Sequence, residues 1–589
     1  MSEYRAPLDD IRFAVNDIAG LEAISRLPGC GDATPDLVDA ILDEAGKFGR
    51  DVMAPLNHSG DQQGCVLENG VVRMPAGFAD AYRQFAEAGW NGIWAPEEWG
   101  GQGLPTLVAT AVSEIWHSAN LSLALCPMLT SSAIELLLAH GSGDINATYL
   151  AKLVSGQWTG TMNLTEPQAG SDLARIRCKA DRADGGYRLK GQKIFISHGE
   201  HDMAENIIHM VLARSPDGPP GIKGLSLFLV PKFVPDENGN LGRRNDLRAA
   251  SIEHKMGLHG SPTCVMAFGD NDACEAFLIG EENRGIEYMF IMMNAARLAV
   301  GMEAVGLAER AYQHARDYAR DRVQSRAITG DDPEPVSIIE HPDVKRMLLA
   351  MRAQTAAIRA IAYRTAAAQD TARRHPDEAM RQKAQMFVDL MTPVVKAFAT
   401  DIASDVADLC IQVHGGMGYI EETGAAQYYR DIRVARIYEG TNGIQANDLV
   451  GRKVARDDGR AAQAVIADIR ADIEKIHKIN ELSGLSTSLS RAVEALDTAG
   501  QWIVETYPAD APAVAAGAAH YLRLLGIVSG AWLLASGAAK SAAKGGETAE
   551  DRVVLAKFYA EQYLPHAAAL KEIILSGGGT VAGVSTAAF

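Results

Sequence analysis

The spacing of hydrophobic positions changes twice along the chain, and each change predicts a different kind of element. From about residue 36 to residue 158, apolar side chains recur at helical spacing, as in Leu37, Val38, Ile41 and Leu42 and again between Leu107 and Leu138, which predicts helices. The Gly/Pro-rich stretch from Ala95 to Pro105 separates them and reads as a loop. Near Thr159 the pattern becomes short β-rich runs at 194–196, 207–212, 225–230 and 264–268, broken by turn signals such as Asp184-Gly185-Gly186 and Asn238-Gly239-Asn240. That is the pattern of an antiparallel β domain. From about Gly285 the helical period returns over 286–322, 342–374 and 376–413, with Pro342 and Pro376 near helix starts. Three long neighbouring helices predict an antiparallel bundle. The remainder is Ala-rich and helical, and ends in Ser576-Gly577-Gly578-Gly579, which reads as flexible.

The predicted fold class is therefore α+β, mostly α. Its expected domains are an N-terminal extension and helical domain at 1–158, a β domain at 159–282, a helical bundle at 283–455 and a helical appendix at 456–589. No short-period repeat argues for a solenoid.

Composition narrows the function classes. The chain has 589 residues, 47% hydrophobic and 22% charged, which suits a protein with large buried cores and excludes a mainly disordered or disulfide-scaffold chain. A net charge of −18 excludes a dedicated nucleic-acid binder, which needs a positive footprint. The 7 cysteines show no C-x-x-C spacing, so neither a metal site nor a disulfide framework is expected, and a reducing compartment is. The start of the chain has early acids and no apolar run of signal-peptide type, which predicts a cytoplasmic protein. The run 524–539 is shorter than the roughly 20 residues that span a bilayer, so it predicts a buried helix and no transmembrane segment.

Candidate chemistry lies in five places. The loop Thr165-Glu166-Pro167-Gln168-Ala169-Gly170-Ser171-Asp172 offers hydroxyls and backbone amides to a flat polar ligand or a phosphate, and serves equally well as an ordinary turn. Gln412-Val413-His414-Gly415-Gly416-Met417-Gly418-Tyr419 follows a long helix; its glycines permit close backbone approach or simply end the helix. Glu439, after apolar and aromatic residues and before Gly440, suits a general base in a poorly solvated pocket, or else favours the dipole of a helix beginning near Asn442. Arg297 and Arg322 could each hold a phosphate through the guanidinium fork, or form ordinary ion pairs.

Six segments in order resemble the acyl-CoA dehydrogenase family of flavoenzymes. They are Ala95-Pro96-Glu97-Glu98-Trp99-Gly100-Gly101-Gln102-Gly103, the Thr165–Asp172 loop, Gly191-Gln192-Lys193-Ile194-Phe195-Ile196-Ser197, Gly280-Glu281-Glu282-Asn283-Arg284-Gly285, the Gln412–Gly418 segment and Tyr438-Glu439-Gly440-Thr441-Asn442. The resemblance covers roughly residues 40 to 455. The opening Tyr4–Phe13 stretch, the segment Ser251–Thr263 and the appendix resemble one bacterial branch, linked to dimethylsulfoniopropionate catabolism. They imply 3-methylmercaptopropionyl-CoA as leading substrate, with fatty acyl-CoA esters of other lengths as the alternative.

The resemblance implies FAD as cofactor. A carboxylate removes the α-proton of an acyl-CoA thioester, the β-hydrogen leaves as hydride to the flavin, and a trans-2-enoyl-CoA forms. Electron-transfer flavoprotein is the implied electron acceptor. An oxidase passing electrons to oxygen, or a non-catalytic acyl-CoA binder, is the alternative class. Glu439 matches the base; the other position the family uses for one is Ala296 here. Met162, Leu164, Thr165, Phe195 and Ser197 match flavin-lining positions. Ser171 matches a residue near the FAD phosphates or CoA, and Asn294, Arg297 and Gly440 join it on the substrate side. Arg322, Gln324, Gln412 and Gly416 match contacts to the FAD of a partner subunit, which implies a homodimer, and Thr441 and Gly443 match contacts within the subunit. Two positions depart from the pattern: Ser325-Arg326 stands where Phe-Gly is usual, and Ser197 where Thr is common. The serine keeps the hydroxyl.

Overall fold

The computed structural model describes residues 3–328 and 334–589. Its contacts divide the chain into two units. One consists of Lys47–Leu104 and Ala119–Ala299. A main sheet of eight strands runs here from Trp158–Asn163 to Glu275–Ile279. Most neighbours are antiparallel, as predicted. Trp158–Asn163, however, runs parallel to Asn206–Arg214, because two other strands intervene in the chain and the connection is a crossover rather than a hairpin. Glu275–Ile279 pairs with both Leu225–Pro231 and Gly186–Ser197, so five strands close into a ring that leaves few free edges. Leu225–Pro231 is buried along its whole length and reads as one apolar run.

The apolar run 107–138 is two helices rather than one, Thr106–Ala119 and Leu121–His140. Asn120 breaks it by capping the second: its extended backbone frees the side chain to accept the Leu123 amide at 3.1 Å. Leu121–His140 lies against Trp158–Asn163. Gly160 makes that approach possible, since a Cβ there would stand 2.5 Å from the Ala133 Cβ. The same unit holds a small hairpin, Val66–Glu68 with Val71–Arg73, in a region where helices alone were expected. It turns on Asn69 and Gly70, both at positive φ (51° and 79°), the signature of a type I′ turn.

The second unit consists of Met1–Gly46, Pro105–Ser118 and Val300–Phe589. The expected long helices occur at Gly285–Asp321, which continues from the first unit, Pro342–Arg374 and Glu378–His414. Asp377 rather than Pro376 sets the start of the third, its side chain accepting the Ala379 amide at 2.9 Å. Arg359, 4% exposed, bridges Glu114 at 2.6 Å and Glu309 at 2.8 Å in the core, and Tyr363 donates to Glu114 at 2.7 Å.

The appendix helices belong to this same unit. Ala511–Lys544 lies so close to Glu378–His414 that a Cβ on Gly526 would fall 2.4 Å from the Phe398 ring. The glycine run expected to be flexible is instead part of the helix His566–Gly583. Gly578 sits where a Cβ would be 2.5 Å from the Ala513 carbonyl oxygen, so this one glycine of the run serves helix contact. The predicted short apolar run at 524–539 lies within a 34-residue helix that is long enough to cross a membrane. So are Leu121–His140 and Gly285–Asp321 among the described residues, but 72%, 67% and 83% of the apolar windows of the three, in chain order, are buried in the protein itself.

Candidate active site

The expected site residues form separate groups in the two units. In the strand-bearing unit, Thr165 opens its loop just after Trp158–Asn163, and its carbonyl accepts the Ile194 amide at 2.9 Å. Beneath it Lys193 and Glu166, both buried, form an ion pair at 2.8 Å. Lys193 Nζ also donates to the Leu164 carbonyl at 2.9 Å, and Glu166 accepts the amides of Arg177 and Cys178 at 2.7 and 3.0 Å. Burial pushes the Glu166 pKa up, but the Lys193 charge and these amides outweigh it and hold the carboxyl below its usual range. The shape of the Thr165–Asp172 loop therefore rests on a buried charge pair as well as on turn chemistry.

Beside that anchor the strand Gly186–Ser197 loses register between Lys193 and Ile196. Phe195 sits at this bulge with φ 60° and is 61% exposed. A large apolar side chain standing free on strained backbone is a feature of ligand sites. Ser197 is paired to Thr263, Met162 is half-buried and Leu164 buried. Ser171 is exposed, and next to it a Cβ on Gly170 would meet nothing within 4 Å, leaving room for a ligand at the backbone. On the helix Gly285–Asp321, Arg297 is buried and its Nη1 donates to Asn294 Oδ1 at 3.1 Å, one turn earlier.

In the other unit, Glu439 and Gly440 are consecutive left-handed residues with φ of 56° and 83°. For a glutamate this costs about 1–3 kcal/mol, so neighbouring groups must impose it. Gln445 Nε2 donates to the Glu439 carbonyl at 3.0 Å, and the buried Lys396 Nζ donates to the Gly440 carbonyl at 2.8 Å and to Asn442 Oδ1 at 2.9 Å. Asn442 in turn donates to Asp401 at 2.9 Å and to the Ala397 carbonyl at 3.1 Å. The helix does begin at Asn442, but Thr441 caps it, accepting the Ile444 amide at 3.2 Å. Glu439 stands outside that cap with its Oε2 buried, an arrangement suited to a carboxylate base. Tyr438, just before it, donates to Glu303.

Gln412 is exposed at the end of Glu378–His414, where Gly415 at φ 59° stops the helix. A Cβ on Gly416 would meet nothing within 4 Å, whereas one on Gly418 would fall 2.3 Å from the Ile411 carbonyl. The first glycine is thus open to a ligand and the second serves packing. His414 is a packing residue, with Nδ1 at 2.7 Å from the Cys410 carbonyl and its ring stacked 4.3 Å from Tyr318. Arg322 and Gln324 are exposed past the helix end, held by a bridge between Val323 and Ser337 and by the Gln324 amide on the Val336 carbonyl at 3.0 Å. Gly443 is exposed beside Thr441.

Lys193, Glu166, Lys396, Gln445 and Glu303 were not singled out from the sequence. The signal existed for two of them: Lys396 lies in Val394-Val395-Lys396-Ala397-Phe398 and Glu303 in Gly301-Met302-Glu303-Ala304-Val305, and a charge in an apolar run must be partnered or neutral. Among the described residues no group of three or more His, Cys, Asp or Glu could hold a metal ion.

Comparison with known proteins identifies the family of the chain. Residues 37–157, 161–271 and 283–454 match the N-terminal, middle and C-terminal domain models of acyl-CoA dehydrogenase, and 465–585 match a model described as acetyl-CoA dehydrogenase C-terminal like. The chain is 46% identical to 3-methylmercaptopropionyl-CoA dehydrogenase of Ruegeria pomeroyi over 98% of this chain and 99% of that one. It is 37% identical to a butyryl-CoA dehydrogenase of Syntrophomonas wolfei over 85% and 84%. Its fold resembles that of an acyl-CoA dehydrogenase of Bacillus anthracis, with TM-score 0.75 and 20% identity over 98% of this chain and 92% of that one. The chain belongs to the acyl-CoA dehydrogenase family.

Proposed function

We propose that the protein is an FAD-dependent acyl-CoA dehydrogenase acting on 3-methylmercaptopropionyl-CoA, with Glu439 as its base. The observation that carries this is the presentation of Glu439: a carboxylate with one oxygen buried, on a left-handed turn imposed by Lys396, Asn442 and Gln445. An α-proton beside a thioester is too weakly acidic for a carboxylate in water. Burial and fixed placement make the transfer feasible, worth about 10²–10⁴-fold for a positioned base. The bound FAD supplies the hydride acceptor for the β-hydrogen. The exposed Phe195 and the open Cβ position of Gly170 fit close approach by such a flat, phosphate-bearing group.

In the same reading Met162, Leu164, Thr165, Phe195 and Ser197 line the flavin, Ser171, Asn294, Arg297 and Gly440 serve the substrate side, and Thr441 and Gly443 contact the cofactor. Arg322, Gln324, Gln412 and Gly416 reach the FAD of a second subunit, which makes the enzyme a homodimer. Exposed apolar residues nearby in sequence, Ile328 at 78% and Tyr419 at 88%, support a covered surface there. The divisions at 158, 282 and 455, a cytoplasmic location, electron-transfer flavoprotein as acceptor and a place in dimethylsulfoniopropionate catabolism belong to this reading too.

The substrate choice draws on the near full-length similarity to the Ruegeria pomeroyi enzyme. A thioether sulfur is close in size to a methylene and polarizable. A one-methylene difference changes specificity by only about 10–200-fold, so butyryl- and valeryl-CoA should also turn over. Steady-state kcat/KM across acyl-CoA esters tests this. The expected maximum is at the methylthio ester; a steady rise toward palmitoyl-CoA would overturn the substrate and leave the reaction class. Hydrogen peroxide formed in air at the turnover rate would assign the electrons to oxygen.

A further inference from the structure

Glu303 is a buried carboxyl that the reading of Glu439 leaves unused. It is 0% exposed on the helix Gly285–Asp321. Tyr438 Oη donates to its Oε2, while Oε1 is buried with no hydrogen-bond partner, and no Lys, Arg or His side chain pairs with it among the described residues. A carboxylate so enclosed would carry a large desolvation cost, which protonation removes. The groups that act on it are Tyr438, Glu439 and Lys396. Burial, helped by repulsion from Glu439, pushes its pKa up to about 8, while the Tyr438 hydrogen bond and the Lys396 charge pull the other way. Its enclosure without a cationic partner thus favours the protonated form.

Tyr438 is bonded to Glu303 on one side and joined by a peptide bond to the left-handed Glu439 on the other. Holding the tyrosine ring thus holds one end of the strained turn, as Lys396 and Gln445 hold its remainder. We propose that Glu303 is a positioning residue for the base: through Tyr438 it fixes the turn that presents Glu439, and by staying protonated it keeps a second negative charge away from that carboxylate. The proposal rests on Glu439 being the base.

The test is kcat/KM of the FAD-loaded, full-length enzyme with 3-methylmercaptopropionyl-CoA from pH 6 to 10, for the wild type, Glu303→Gln, Tyr438→Phe and Glu439→Gln. Thermal melts over the same range give a readout independent of turnover. The wild type should show an alkaline inflection near the Glu303 pKa of about 8. Glu303→Gln, which keeps the shape but cannot ionise, should lose it, and Tyr438→Phe should move it upward by about one pH unit, since a bond to the charged form is gone. In melts, stability contributed by the neutral Glu303 is full below its ordinary pKa of 4.5 and is lost as pH rises to about 8, so between pH 6 and 8 the wild type should fall relative to Glu303→Gln and above that run parallel to it. Superposable profiles and melts for the wild type and Glu303→Gln would overturn the proposal. If Glu303→Gln fails to fold, a Tyr438→Phe inflection at the wild-type position overturns it equally. Turnover by Glu439→Gln above a tenth of wild type would instead remove Glu439 as the base, a failure distinct from that of Glu303.

Discussion

Lys396 holds Asn442 at 2.9 Å, and with a second proton it holds the Gly440 carbonyl at 2.8 Å. One buried ammonium thus ties the residue after Glu439 to the first residue of the following helix. The turn is over-determined by polar bonds, which is how a non-glycine residue persists at positive φ.

Lys396→Met should therefore reduce kcat by about 10²-fold through misplacement of the base, with acyl-CoA binding much less affected. Pre-steady-state flavin reduction separates the two effects. A variant reducing its flavin at the wild-type rate would show that Gln445 and Asn442 hold the turn without the lysine.

Arg359→Met should destabilise strongly. The substitution leaves Glu114 and Glu309 buried without their shared guanidinium, and breaking a buried charge cluster costs about 3–5 kcal/mol. Urea denaturation should show a lower midpoint. A midpoint equal to the wild type would mean that the buried cluster adds no net stability.

Gly526→Ala tests whether the appendix is locked to the bundle. Its new Cβ would stand 2.4 Å from the Phe398 ring, so either the helix Ala511–Lys544 or the ring must move. Overpacking of this kind costs about 1–3 kcal/mol. A substitution without effect on the melting temperature would mean that the appendix helix shifts freely.

Acid should destabilise the fold well above the range where most carboxylates titrate. Burial holds His117 and His198 down to about 4 and His209 and His314 to about 3, and lowers His201 as well. The unfolded chain binds these protons near pH 6.5 and the folded chain does not, so stability is present above pH 6.5 and is lost as pH falls toward the folded values. Each group contributes a slope of up to about 1.4 kcal/mol per pH unit. Glu303 has the opposite sign, but one carboxyl opposes five imidazoles. Melting temperatures flat from pH 6.5 to 4.5 would contradict the burial of these rings in a neutral state.

Much of the frame was legible because long helices repeat their apolar period many times. The helices Gly285–Asp321 and Pro342–Arg374 lie within one residue of the ranges read from the sequence. Strands were legible where short apolar runs stand between turn signals, as in Leu225–Pro231. They were missed where polar or small residues dominate, as in Lys179–Ala183 and Leu247–Ile252, whose own side chains carry little β signal even though each pairs with the next strand in the chain. The Asn69-Gly70 hairpin did carry a local signal, and it was overlooked. Glu439 was legible from its motif, but Glu303 and Lys396 were not, since residues more than 40 positions away in the chain are brought beside it only by helix packing.

Anaerobic mixing of the FAD-loaded enzyme with 3-methylmercaptopropionyl-CoA, followed by flavin absorbance in a stopped flow, tests the central claim most directly. Substrate should bleach the wild-type flavin in a single fast phase, and Glu439→Gln should bind substrate yet bleach at least about 10²-fold more slowly, because the amide keeps the shape of the carboxylate without its proton affinity. Equal bleaching rates in the two proteins would contradict the assignment of Glu439 as the base.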